Sequence, residues 1–106
     1  MDEKKLSGLL GLALRAGQAK IGTGRALDAL RAGKAGLILL DERASDNTRK
    51  RFEDSCRFYA VACCVFPPNL IGRSVGKEDT MAVALLKGGM AETLLGLCRG
   101  DIIKSE

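Results

Sequence analysis

Apolar residues recur along this chain in two alternating rhythms. Leu6, Leu9, Leu10, Ala13 and Leu14 fall three or four apart, which predicts a first helix with one buried face, Asp2 and Glu3 near its start and Gly17 as its stop. Lys20-Ile21 then reads as a short strand. Ala26, Leu27 and Leu30 form the apolar stripe of a second helix, with Thr23 as its expected cap and Gly33 as its terminator. Gly36 to Leu40 is apolar throughout and bounded by turn signals, the composition of a strand covered on both faces. Ser45 is placed to cap a third helix on which Phe52, Cys56 and Tyr59 share the inner face, while Arg49, Lys50, Arg51, Glu53 and Asp54 mostly face outward.

Val61 to Phe66 again has a buried-strand composition and is stopped by Pro67-Pro68. A short fourth helix is expected from about Asn69 to Val75, ending at Gly76. Met81 to Leu86 is the next strand, and Met90 to Cys98 a closing helix with Met90, Ala91, Leu94, Leu95 and Cys98 turned inward. Beyond Arg99 the sequence carries no clear structural signal. Strands alternating with helices predict an α/β chain: a single domain over residues 1–98, built as a three-layer α/β/α sandwich around a small four-stranded mixed sheet, followed by a tail over 99–106. So few short strands leave no room for a full dinucleotide-binding domain.

At 106 residues with 46% hydrophobic side chains, the chain can bury a core without disulfides or metal. Three Phe, one Tyr and no Trp make that core aliphatic and argue against the aromatic platforms on which single-stranded RNA stacks. Four cysteines without a C-x-x-C pair, in a chain with no histidine, read as reduced core thiols and not as a zinc site. Cys63 and Cys64 are adjacent in a strand and so point to opposite faces. With no signal peptide pattern and no apolar run long enough to span a bilayer, the expectation is a cytoplasmic protein without a membrane partner.

The net charge of +4 is uneven: residues 1–53 carry 11 Lys/Arg against 7 Asp/Glu, and residues 54–106 carry 6 against 6. A basic first half suits a polyanionic partner. Within it, Gly22-Thr23-Gly24-Arg25 runs directly into the second helix, where backbone N–H groups and the positive end of the helix dipole attract anions and glycine permits close approach. Lys20, Arg25, Arg31 and Lys34 surround this junction, and Asp28 lies one turn into the helix. No Gly-Lys-Ser/Thr follows, so it is not a P-loop, and Leu27 occupies the third glycine position of a dinucleotide fingerprint. A plain glycine turn joining strand to helix fits the local sequence as well. A second segment rich in glycine and basic residues, with Gly72, Arg73, Gly76 and Lys77, makes a composite basic edge if the fold sets it beside the first. No acid/base pair, nucleophile–base pair, cofactor motif or small-molecule substrate site is evident, which points to binding without catalysis.

Several linked segments carry a family resemblance: Leu9 to Gly17, Ile21-Gly22-Thr23, Leu30 to Ala35, Leu37 to Asp41, Ala44 to Thr48, and Val75 to Glu78. In this order and spacing, over roughly residues 5–97, the chain closely resembles the kink-turn RNA-binding family of large-subunit ribosomal protein seven-Ae and its thirty-e relatives, in the small bacterial branch. The resemblance implies an α/β/α sandwich that binds sharply bent RNA duplexes built around tandem G·A pairs. It further implies that the loop and helix start over Gly22 to Asp28 enter the widened major groove, and that the segment from Gly72 to Thr80 contacts the three-nucleotide bulge. Implied partners are structured ribosomal or regulatory RNA and ribosome-associated proteins. Gly22 and Thr23 match the family, whereas Gly24, Arg25 and Asp28 stand where its best-studied members have Asn, Glu and Lys. Some members of the wider superfamily act as protein-interaction modules, an alternative that the altered loop leaves open.

Overall fold

The computed structural model describes residues 3–98 and the backbone of residues 102–103. Its elements follow the order α1 (Glu3–Arg15), β1 (Ala19–Ile21), α2 (Thr23–Arg31), β2 (Ala35–Asp41), α3 (Asp46–Tyr59), β3 (Ala62–Phe66), α4 (Leu70–Val75), β4 (Ala82–Leu86), α5 (Gly89–Leu97) and β5 (Ile102–Ile103). The strands form one mixed sheet in the order β1-β4-β2-β3-β5. Only β2 and β3 pair in parallel, joined by the α3 crossover, and the other pairings are antiparallel. The four expected strands are all present. In the stretch expected to lack structure, Ile102–Ile103 adds a two-residue edge strand against Cys63 and Cys64; the rest of that tail lies outside the described residues.

Alternation along the strands divides the apolar residues between two cores. Leu37, Leu39, Cys64, Phe66, Val83 and Leu85 face α1, α4 and α5, where Leu6, Leu10, Ala13, Ile71 and Leu94 close the layer. Ile38, Leu40, Cys63, Ala82 and Ala84 face α2 and α3, against Ala26, Leu27, Leu30, Phe52 and Cys56. This is the expected three-layer sandwich, with Cys63 and Cys64 on opposite faces. All four cysteines are buried and unbridged. A hydrogen bond with Cys56, together with burial, pushes the Cys63 thiol up, so it stays protonated in the core.

Two local expectations change. Gly22, not Thr23, occupies the cap position of α2: its φ of 105° and ψ of 154° turn the chain in a conformation that suits glycine, and Thr23 is already helical. Tyr59 does not join Phe52 and Cys56 inside. It is the last residue of α3, where Ala60 turns the chain away in a left-handed conformation, and its ring lies 4.9 Å from Phe58, edge to face, beside a surface cleft. Ser45 caps α3 as expected, its side-chain oxygen accepting from the Thr48 N–H at 3.2 Å. Gly17, Gly33 and Gly76 all take positive φ at the predicted helix stops. Among the described residues, no helix is long and apolar enough to cross a membrane.

Candidate nucleic-acid interface

Strands β1, β2 and β3 run in the same direction and end at one edge of the sheet, while β4 starts there. The helices α2, α3 and α4 begin at this edge too, so their N-termini gather beside the loop that leads into β4. In open α/β sheets, ligands favour the crevice outside the carboxyl ends of strands. Here that crevice is a cleft of about 530 Å³ between Ile21-Gly22-Thr23 and the segment from Lys77 to Met81. The composite basic edge expected from Gly72, Arg73, Gly76 and Lys77 forms only in part, because Lys77 alone of the four lines this cleft; the Gly22 N–H donates to the Ala82 carbonyl at 2.9 Å and pins the first loop to the start of β4.

The first intrahelical bond of α2 runs from the Ala26 N–H to the Gly22 carbonyl, 2.9 Å, and no side chain caps the helix. The N–H groups of Thr23, Gly24 and Arg25 consequently point out of the helix end at the mouth of the cleft, with the dipole adding partial positive charge. Across the cleft stand Lys77, Glu78 and Asp79, all exposed, and Thr80, which is buried. This wall is not uniformly basic. Its lysine attracts phosphate, while its two carboxylates accept hydrogen bonds from amino groups.

The remaining expected site residues divide by position. Lys20, Arg25, Asp28 and Lys34 line a second groove, along α2 on the side of edge strand β1 and floored by Ala29, Ala32 and Leu86. Arg25 opens this groove near the Gly22 end, and Lys34 closes it at the opposite end of the sheet, where its carbonyl accepts from the Lys87 N–H at 2.9 Å. Gly24 is exposed in the first turn of α2, and Arg31 is exposed on the same helix but lines neither groove. Arg73 faces α1: it borders a groove with Glu3, Lys4 and Ser7, and its Nε donates to the Asn69 carbonyl at 3.3 Å. Gly76, in the left-handed conformation, ends α4.

Gly72 is the expected contact with the clearest structural duty instead. It is buried, and a Cβ built on it would lie 2.7 Å from the Lys77 carbonyl oxygen and 2.9 Å from that of Glu78, so it lets the cleft wall pack directly on α4. Asp41 and Arg43, which no sequence motif singles out, also belong to this edge. Asp41 is fully buried at the end of β2 and ion-paired with Arg43 at 2.9 Å. Burial alone raises its pKa, but hydrogen bonds from the Arg43 side chain and backbone and from the Asn69 N–H hold the carboxyl below its ordinary value. A charged residue ending a run of apolar strand positions is the signal that marks it.

The sequence profile of the Ribosomal protein L7Ae/L30e/S12e/Gadd45 family matches residues 4–95. The chain is 40% identical over 90 residues to RNA-binding protein YlxQ of Bacillus subtilis (strain 168), covering 84% of this chain and 90% of that relative. It is 32% identical over 100 residues to RNA-binding protein YlxQ of Enterococcus faecium, covering 93% and 96%. Among solved structures, a protein of unknown function from Bacillus halodurans C superposes with a TM-score of 0.84 at 30% identity, over 92% of this chain and 99% of that one. The Giardia lamblia 15.5kD RNA binding protein shares the fold, with a TM-score of 0.71 at 21% identity over 90% and 85% of the two chains.

Proposed function

We infer, from the premise that this chain belongs to the Ribosomal protein L7Ae/L30e/S12e/Gadd45 family, that it is a non-enzymatic RNA-binding protein whose target is a sharply bent, kink-turn-like duplex in ribosomal or regulatory RNA. The observation that carries this reading is the juxtaposition of the uncapped N-terminus of α2 with the Lys77–Met81 wall across one cleft. An ordinary A-form major groove is too narrow and deep for side chains to read, whereas a bend opens it to a loop and helix end of this size. The N–H groups at Thr23, Gly24 and Arg25 bind phosphate oxygens at the bend, and Lys77 neutralises the strand across the cleft. Glu78 and Asp79 supply the acceptors for base amino groups. That role falls to them because Arg25 carries only donors.

The groove along α2 extends the contact. Lys20, Arg25 and Lys34 follow one flanking strand of the RNA, and Asp28 lines the same groove one helical turn from Arg25. Gly22 sets the loop, and Gly72 and Gly76 set the opposite wall without touching the nucleic acid. Arg31 and Arg73 lie outside this path and add only long-range charge.

A binding titration tests the reading: a kink-turn RNA against a control in which Watson–Crick pairs replace the tandem G·A pairs. Preference for the kinked RNA by tenfold or more supports it. Equal weak binding to both leaves only general polyanion affinity, and a nuclease-resistant protein partner with no RNA affinity replaces it with an interaction module on the same fold.

A further inference from the structure

Resting on the reading that RNA occupies the cleft, we propose that Asp41 and Arg43 are positioning residues that preset the Lys77–Thr80 wall before RNA arrives. The Asp41 carboxylate is saturated with donors. One oxygen accepts from the Arg43 backbone N–H at 2.7 Å and its Nε at 3.0 Å, and the other from the Arg43 terminal nitrogen at 2.9 Å and the Asn69 N–H at 2.9 Å. The same terminal nitrogen donates to the Glu78 carbonyl at 3.3 Å. The guanidinium therefore ties a fully buried strand end to the middle of the cleft wall.

The wall is held at three points. At its start the Lys77 N–H donates to the Gly72 carbonyl at 2.8 Å, in its middle Arg43 holds Glu78, and at its end the Asp41 N–H donates to the Met81 carbonyl at 2.8 Å. Its two ends are fastened by backbone, and the Thr80 N–H closes the turn on the Lys77 carbonyl at 3.1 Å, whereas the Glu78 carbonyl in its middle is held by one side chain, itself oriented by a bidentate carboxylate. A loop held in its binding shape spends no ordering entropy when RNA docks; a loose one does. Asp41 and Arg43 thus govern affinity without contacting phosphate.

Amide hydrogen exchange on the free protein, paired with kink-turn RNA titrations at several salt concentrations, tests this for Arg43→Ala and for Arg43→Lys. The lysine variant keeps the charge that Asp41 requires but not the fork that reaches Glu78, so it remains folded if the alanine variant does not. Both are expected to raise exchange at Thr80, whose N–H closes the wall on the Lys77 carbonyl, by about tenfold while β2 and β4 amides are unchanged. Both should also weaken RNA binding about tenfold, with the slope of log affinity against log salt unaltered. Unchanged exchange at the wall overturns the proposal, as does faster exchange with full affinity. A salt slope smaller by about one also overturns it, by making Arg43 a direct phosphate contact. If the wild type binds no RNA, the functional reading falls instead, and the exchange data alone decide whether Arg43 holds the wall.

Discussion

Gly72→Ala separates a packing role from an RNA-contact role at a position the sequence marks as a contact. The added Cβ meets carbonyl oxygens at 2.7 and 2.9 Å, and both belong to backbone, which cannot rotate away as a side-chain tip does. Relief requires the Lys77–Glu78 segment to retreat by several tenths of an ångström, or α4 to tilt off the sheet. Overpacking of this kind costs about 1–3 kcal/mol, and the better helix propensity of alanine returns about 0.5–1 kcal/mol. Taken at mid-range the two leave a net destabilisation of about 1 kcal/mol, which for a chain of this size lowers Tm by about 4–8 °C. The control is Gly24→Ala, where a Cβ meets open space in a helical turn, and its stability should equal that of wild type or exceed it by up to about 1 kcal/mol. Thermal unfolding followed by circular dichroism measures both. A Gly72→Ala protein that melts at or above the wild-type temperature refutes the close approach, and with it the assignment of Gly72 to packing.

Gly22→Ala should cost about 1–3 kcal/mol for a different reason, since nothing lies within 4 Å of its Cβ but its φ of 105° is unsuited to any side chain; an unperturbed urea midpoint would show that the loop adopts another conformation. Asp41→Asn should destabilise by about 1–3 kcal/mol at neutral pH. Because the folded carboxyl titrates below its ordinary value of 3.8, its contribution is complete above that value and is lost as pH falls through the depressed one, so the stability gap between wild type and variant narrows below about pH 4. A gap that stays constant in urea titrations from pH 7 to pH 3 contradicts an ionised, fully bonded Asp41. Replacing Arg25 or Lys34 by Ala should each flatten the salt dependence of RNA affinity by about one counterion, while Arg73→Ala should leave the slope nearly intact. Equal slopes for all three variants would remove the α2 groove from the interface.

The layered fold was legible because period and burial agree. The runs Leu37–Leu40 and Val61–Phe66 have no polar face, so each had to lie between two helical layers, and Leu6/Leu10/Ala13 and Phe52/Cys56 supply the stripes that cover them. Helix stops at Gly17, Gly33 and Gly76 were legible because left-handed caps favour glycine. Tyr59 departs from its expected place because helical spacing says which face a residue occupies but not where the layer beneath it ends. The two-residue strand at Ile102–Ile103 is too short for any periodicity to register, and its existence depends on the free edge of β3.

The site was visible in part for the same physical reason. Gly22 and the helix that follows it form a local feature, and local sequence announces it. The pairing of that loop with Lys77–Met81 is a consequence of β4 lying next to β1, a contact between distant parts of the chain. Gly72 and Gly22 look alike as letters, yet one needs space for a carbonyl and the other needs a positive φ. Asp41 and Arg43 sit two residues apart, but what makes them matter is that the strand end is buried and the Glu78 carbonyl is within reach.

RNA is proposed to sit between the start of α2 and the Lys77–Met81 wall. Backbone amide chemical shifts of the protein, recorded as a kink-turn RNA is titrated in, address it at the level of single residues. The largest changes are predicted at Gly22 to Arg25 and at Lys77 to Met81, with smaller ones along Asp28 to Lys34 and little change at the Tyr59 end of α3. Changes centred on α1 and Arg73, or spread evenly over every basic surface, would contradict the account.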